Sequence, residues 1–283
     1  MACAFFTATT AALSKIILKK YNIFFTGWAR FLFSLPIFVA LLCIFRPHFS
    51  FEAGFWKVVV FLLPFELTAF LLFLRALKLS PLSLTFPFLG LTPAFSIFFS
   101  RFLLGERANL FGIAGIALVT AGAYLLNIKF VKDGLLAPLK NIYREKGSML
   151  MIFVALIYGA TSVLGKKAIL LSGPLSFAAV YYGIFFVIFA PLALAEEKKT
   201  KIKFEMKDTF LFLGLGVCFA AAMLFHFNAV VLTNVSYMVS VKRLSLVISV
   251  LYGGIIFHEK DIGSRMLGSM VILCGIMVIS LAG

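Results

Sequence analysis

Phe6-Thr-Ala-Thr-Thr-Ala-Ala-Leu-Ser-Lys15 returns, 151 residues further on, as Ile157-Tyr-Gly-Ala-Thr-Ser-Val-Leu-Gly-Lys166. Thr10 meets Thr161, Leu13 meets Leu164 and Lys15 meets Lys166. Later the offset becomes 153: Ala76 meets Ala229, Ser83 meets Ser236, Glu106 meets Glu259, Gly115 meets Gly268 and Gly122 meets Gly275. The chain therefore reads as two copies of one unit, residues 1–127 and 148–283, joined by the polar segment 128–147.

What each copy is made of follows from composition. Of 283 residues 63% are hydrophobic and only 13% charged, and the mean hydropathy is +1.09, far from a soluble domain. A bilayer core of about 30 Å takes about 20 apolar residues per helix. Ten such runs occur, at 2–18, 23–45, 56–74, 80–102, 108–127, 148–171, 174–195, 209–228, 234–257 and 262–282. Nothing alternates in the manner of a membrane β-barrel. The fold class expected is all-α, a polytopic membrane protein with ten transmembrane helices. Five spans per copy is an odd number, so the copies cross the membrane in opposite senses. Inverted repeats around a central cavity near the midplane are the architecture of secondary transporters; an old duplication kept only as scaffold is the alternative.

The net charge of +15 raises nucleic acid as a partner, but the cations lie in short loops and at helix ends, where water or lipid headgroups meet them. The expected partners are a small-molecule substrate and the lipid bilayer, with no nucleic acid, the chain being a monomer or homodimer. Cys3, Cys43, Cys218 and Cys274 all fall in apolar runs and read as packing residues. The first run lacks a basic region before it, so it is not a cleaved signal; a start upstream of Met1 is compatible with the short first span. The loops after spans 2, 4, 6 and 8 carry six cations (Arg46, Lys57, Arg101, Arg107, Lys166, Lys167) and the opposite side seventeen, which places both termini outside by the positive-inside rule.

Gly112, Gly115 and Gly122 in span 5, with Gly263, Gly268 and Gly275 in span 10, let backbones approach closely. These two spans are expected to pack tightly and to stand back from the cavity, which spans 1–4 and 6–9 line. Pro87 and Pro93 each remove a helical hydrogen bond in span 4 and favour a kink; span 9 has Ser240 and Leu246 there.

Lys242 and Arg243 interrupt the apolar run of span 9 about 12 Å from its start at 1.5 Å per residue, at an insertion cost of about 5–7 kcal/mol for the pair. Three roles fit: a cavity-facing anion site, a structural ion pair, or snorkelling from a misplaced helix start. Glu66 is the one carboxylate well inside a run, suited to pairing with Lys242 or Arg243, to proton coupling, or to passive lining. Arg30, Lys15 and Lys166 read as cations snorkelling to the interface. His226 and Asn228 end span 8, on a cavity rim or at an ordinary interfacial end. His48 lies in a loop and His258 in a corner, and no metal or catalytic spacing joins the histidines; neither enzyme activity, metal nor cofactor is expected.

The run Arg75-Ala-Leu-Lys-Leu-Ser-Pro-Leu-Ser, then Leu91-Thr-Pro-Ala-Phe-Ser, then Phe102-Leu-Leu-Gly-Glu-Arg107, with Phe257-His-Glu-Lys260 in the second copy, resembles the EamA-type repeat of the drug/metabolite transporter superfamily. The resemblance implies a carrier of amino acids, sugars, nucleotide sugars, phosphorylated sugars or drugs, in a prokaryotic cell (inner) membrane. It also implies both termini in the cytoplasm, against the charge count. Arg30 matches a common family arginine. Lys242-Arg243 followed by Leu-Ser-Leu-Val-Ile-Ser is similar to the ninth helix of plastid phosphate translocators and nucleotide-sugar transporters, where the pair helps to bind substrate phosphate. A further lysine of those translocators corresponds to Leu89 here, which disfavours a dianionic sugar phosphate and leaves a carboxylate or singly charged group.

Overall fold

The computed structural model describes residues 1–46, 53–95, 98–99, 110–200, 205–232 and 242–280. His48, Glu106 and the first part of span 9 lie outside them. Among the described residues every regular element is a helix: α1 (Ala2–Leu18), α2 (Ile23–Phe45), α3 (Ala53–Leu79), α4 (Leu82–Thr85) running into a 3-10 helix (Phe86–Leu91), α5 (Leu110–Leu125), a second 3-10 helix (Ile128–Asp133), α6 (Ala137–Arg144), α7 (Lys146–Ser172), α8 (Pro174–Thr200), α9 (Met206–Leu232), α10 (Leu244–Ile255) and α11 (Ile262–Ser280).

Five helices are long and apolar enough to cross a membrane, and α7, bent by 49° between Lys146–Ser162 and Leu164–Ser172, makes a sixth; Ala2–Leu18, Leu82–Phe95, Leu110–Leu125 and Leu244–Ile255 are shorter apolar helices. Large apolar side chains such as Val60, Phe61, Val187 and Leu232 stand exposed around the bundle. Water would penalise that surface, whereas hydrocarbon solvates it. Cys43 and Cys274 are exposed too, so only Cys3 packs inside as the sequence suggested.

Span 4 breaks at Pro87, one of the two prolines expected to kink it, and span 9 has a turn at Arg243 that was not expected. In span 4 the α-helix lasts one turn before tightening to 3-10 geometry at Phe86–Leu91, where Pro87 has no N–H to give to an α-helical ladder. In span 9 the helix is interrupted at Arg243 (φ −70°, ψ −8°), and α10 begins at Leu244. The two breaks fall at equivalent places in the two halves, since Gly90 and Arg243 are 153 residues apart.

α5 and α11 lie antiparallel, from Gly115 beside Ile279 to Leu126 beside Gly268. A methyl group added at Gly115, Gly122, Gly268 or Gly275 would come within 2.9 Å of the partner's backbone. Close backbone approach substitutes for a hydrophobic drive that hydrocarbon cannot supply.

The joining segment is more than a polar linker. α6 buries Pro138 and Ile142, the Tyr124 hydroxyl donates to the Leu135 carbonyl at 2.8 Å, and Asn141 Nδ2 donates to Asn127 Oδ1 at 2.7 Å. Glu145 then caps α7 by accepting from the Ser148 N–H at 2.8 Å.

Polar ties gather at this same end of the bundle. Lys15 does not snorkel: its Nζ donates to the carbonyls of Leu77 (3.0 Å) and Ser80, at the C-terminal end of α3, where a cation complements the helix dipole. Glu259, after α10, accepts from the N–H groups of Leu82 (2.7 Å) and Ser83 (2.9 Å), capping α4 of the other half. Arg265 donates to Ser83 Oγ at 2.5 Å and to Glu259 at 3.4 Å. Lys20 bridges Glu205 at 3.0 Å and Asp208 at 2.7 Å.

Lys129 and Asp261 pair at 2.5 Å, with side chains 46% and 31% exposed. The hydrogen bond and charge of Lys129 hold the Asp261 carboxyl below its ordinary pKa. A depressed carboxylate contributes stability above its unfolded pKa of about 3.9 and loses it as pH falls through the native value. Asp261→Asn is therefore expected to lower stability at pH 7 by under about 1 kcal/mol for so exposed a pair, with a slightly lower Tm, and to have no effect once the pH is below the native pKa of Asp261. Thermal unfolding of both proteins across that range is the measurement.

Candidate functional site

A cavity of about 260 Å³ lies between the two halves, near the lower end of small-molecule sites. Repeat-related positions line it from both sides. Thr7 and Thr10 of α1 face Tyr158 and Thr161 of α7; Arg30 and Phe31 of α2 match Tyr181 and Tyr182 of α8. Glu66, Phe70 and Phe73 of α3 match Phe219, Met223 and His226 of α9, and Leu89 matches Lys242. No described residue of α5 or α11 is among the lining, in keeping with their set-back position.

The frame is symmetric but its chemistry is not. Several charged positions have uncharged counterparts, Arg30 against Tyr181, Glu66 against Phe219 and Lys242 against Leu89, whereas Lys166 matches the charged Lys15. A ligand held here meets its cations mainly at one end of span 9 and on α2. Aromatic rings supply most of the remaining wall: Phe31 lies 5.1 Å from Phe70, 5.8 Å from Tyr182 and 5.8 Å from Phe219 between centroids.

Lys242 and Arg243 both face this cavity. Arg243 is 6% exposed, and its Nε is buried without a hydrogen-bond partner. Among the described residues neither side chain has an acidic or hydrogen-bonding partner. The turn at Arg243 also sets these cations at the start of α10, where the helix dipole adds positive potential. A guanidinium offers five donors and an ammonium three. Cations without an ion pair in such surroundings are costly.

Glu66 does not pair with them. Its Oε1 accepts from Thr161 Oγ1 at 2.6 Å across the two halves, so the carboxylate is held on the α7 side. His226 also lines the cavity, with Nδ1 buried and unpartnered.

A model of the EamA-like transporter family matches residues 1–128 and 145–281. The chain belongs to the EamA-like transporter family. It is an integral membrane protein, a transporter of the drug/metabolite transporter superfamily. A protein of known crystal structure aligns with 98% of this chain and 96% of its own, at 18% identity and a TM-score of 0.66, and so shares the fold. No curated protein matches the chain.

In this EamA-like transporter the site residues named from sequence part company. Lys242, Arg243, Glu66 and His226 converge on the cavity, and Asn228 does not. α9 continues to Leu232, so neither His226 nor Asn228 ends it; two residues along a helix turn the side chain to another face. Asn228 is exposed and donates back to the Leu224 carbonyl at 2.8 Å. Arg30, read as snorkelling, is instead 4% exposed. Its guanidinium donates to Ser14 Oγ at 2.7 Å and lies 4.7 Å from the ring centre of Phe70, 5.3 Å from Phe219 and 5.8 Å from Phe73. Lys166 lines the cavity as well. The available signal was position: Arg30 stands seven residues into its run, about 10 Å. Among the described residues no group of three or more His, Cys, Asp or Glu could hold a metal ion.

Proposed function

We propose that this protein is a secondary transporter that moves a small organic anion by alternating access, holding the acidic group at Lys242 and Arg243. The observation that carries the proposal is the pair itself: two cations, Arg243 buried and Lys242 half-buried, facing an aromatic cavity at a helix break, with no ion pair among the described residues. Arginine suits a planar carboxylate or phosphate through its paired donors, and lysine acts as a mobile point charge. Anion arrival replaces repulsion by attraction in a low-dielectric site, so binding energy is available to bias one conformation over the other.

In this reading the chain is ten spans in two inverted halves, 1–127 and 148–283, in a prokaryotic inner membrane, acting without cofactor and without enzyme activity on its substrate. It works as a monomer or homodimer. Glu66, held by Thr161 rather than by the cation pair, is placed to accept a proton or to release its contact when the halves move. The breaks in spans 4 and 9 are the points about which each half bends, as discontinuous helices do in other transporter architectures.

Purified protein in liposomes tests this directly. A panel of radiolabelled organic anions, amino acids and cations is offered in counterflow, with flux followed in both directions. Saturable exchange of anions is expected. Exchange of neutral amino acids or cationic drugs alone would replace anion transport by a different carrier activity, and no flux of any solute would favour a non-transporting scaffold or lipid-binding subunit.

A further inference from the structure

Arg30 belongs to the first half, Lys242 and Arg243 to the second, and all three reach the same cavity. Tyr158 lines the same cavity. Arg30 uses one hydrogen bond, to Ser14, and its Nε is buried without a partner. Tyr181, the repeat counterpart of Arg30, has a buried hydroxyl that is equally unpartnered. Two points of the wall, one in each half, thus present unused hydrogen-bonding groups to one space of about 260 Å³.

Charge balance gives this a chemical meaning. Arg30, Lys242 and Arg243 lack an acidic partner among the described residues, and Glu66 is the one carboxylate lining the cavity. With Lys166, which also lines the cavity, the five groups sum to three positive charges when all are ionised. Ring faces around Arg30 partly stabilise a cation, but they do not neutralise it. A doubly charged ligand compensates more of that charge than a singly charged one in a site walled largely by aromatic rings.

We infer that the substrate is a small organic dianion bound at two points, one acidic group at Lys242 and Arg243 and the second at Arg30. The inference rests on the anion-carrier reading above. It restores the second charge that Leu89 removes from span 4, by drawing it from α2 instead. The aromatic rings that line the cavity suit an apolar or planar body.

Two matched pairs of probes test it on the purified full-length protein in nanodiscs: isophthalate against benzoate, and succinate against butyrate, by calorimetry and competition. The dicarboxylate of at least one pair is expected to bind ten times tighter or more than its monocarboxylate. Arg30→Gln is expected to reduce that ratio to about one, and Arg30→Lys to restore most of it; a residue that only shapes the fold would weaken both members alike and leave the ratio standing. Arg243→Gln is expected to weaken both members of the pair. Equal affinities in the wild-type protein, or a ratio unmoved by Arg30→Gln, would overturn the two-point inference while loss of binding in Arg243→Gln keeps the anion reading. If Arg30→Gln does not fold, the wild-type ratio and the Arg30→Lys variant decide. Failure of all four probes to bind would count against both readings.

Discussion

The Lys242→Ala, Arg243→Ala double variant is expected to reach the membrane at normal levels and to lose saturable uptake of whatever anion the wild-type protein carries. Hydrogen bonds to a charged group are worth about 1.5–3 kcal/mol each, and 1.4 kcal/mol is tenfold in affinity. Loss of two such contacts lowers affinity about a hundredfold or more. Insertion should not suffer, because removing the pair relieves a cost of about 5–7 kcal/mol on insertion scales. Arg243→Lys is the sharper single change: charge is kept, the planar fork is lost, and a weakening of about tenfold is expected. Counterflow in liposomes, with expression and monodispersity measured in parallel, separates transport from folding. Wild-type uptake by the double variant would make the pair a structural feature and remove the basis of the proposed function.

The second large effect is expected at the α5–α11 contact. A Cβ at Gly122 would lie 2.6 Å from the backbone nitrogen of Ile272 and 2.8 Å from the carbonyl oxygen of Gly268, so leucine there must push the helices apart. Overpacking a tight contact costs about 3 kcal/mol or more when backbone is what must yield. That is a large share of the stability of most domains. Gly122→Leu is expected to lower the Tm sharply and to broaden or abolish the monodisperse peak in detergent. Gly183→Ala, where nothing lies within 4 Å of the added carbon, is expected to be close to neutral. Equal tolerance at both positions would mean that α5 and α11 do not need their close approach. Since neither helix lines the cavity among the described residues, the loss would be one of assembly rather than of ligand recognition.

Membrane insertion explains which features were readable in advance. A bilayer imposes a condition on each segment by itself, namely enough apolar length to cross and every backbone group bonded internally. The apolar runs, the glycine-bearing pair and the offset of 151 to 153 residues between the copies are therefore visible in the chain before any folding is considered. Lys242, Arg243 and Glu66 stood out for the same reason, since ionised groups in such runs are expensive.

What the tertiary structure alone decided depends on which distant segments meet. Arg30 was misread because snorkelling considers one helix in lipid, whereas Phe70 and Phe73 of α3, Phe219 of α9 and Ser14 of α1 enclose its guanidinium. Lys15 caps α3 because the end of α1 lies against the α3–α4 corner. Glu66 found Thr161 of the other half rather than the cation pair. The turn at Arg243 carries no proline or glycine to mark it in the sequence, and α6 was hidden because an eight-residue amphipathic helix needs Asn127 and Tyr124 to dock it. By itself the sequence determined a polytopic helical chain with a repeat and three costly charges, through the one-segment demands of the bilayer. Their arrangement into a two-sided cationic cavity came from packing between segments up to two hundred residues apart, which no local pattern encodes.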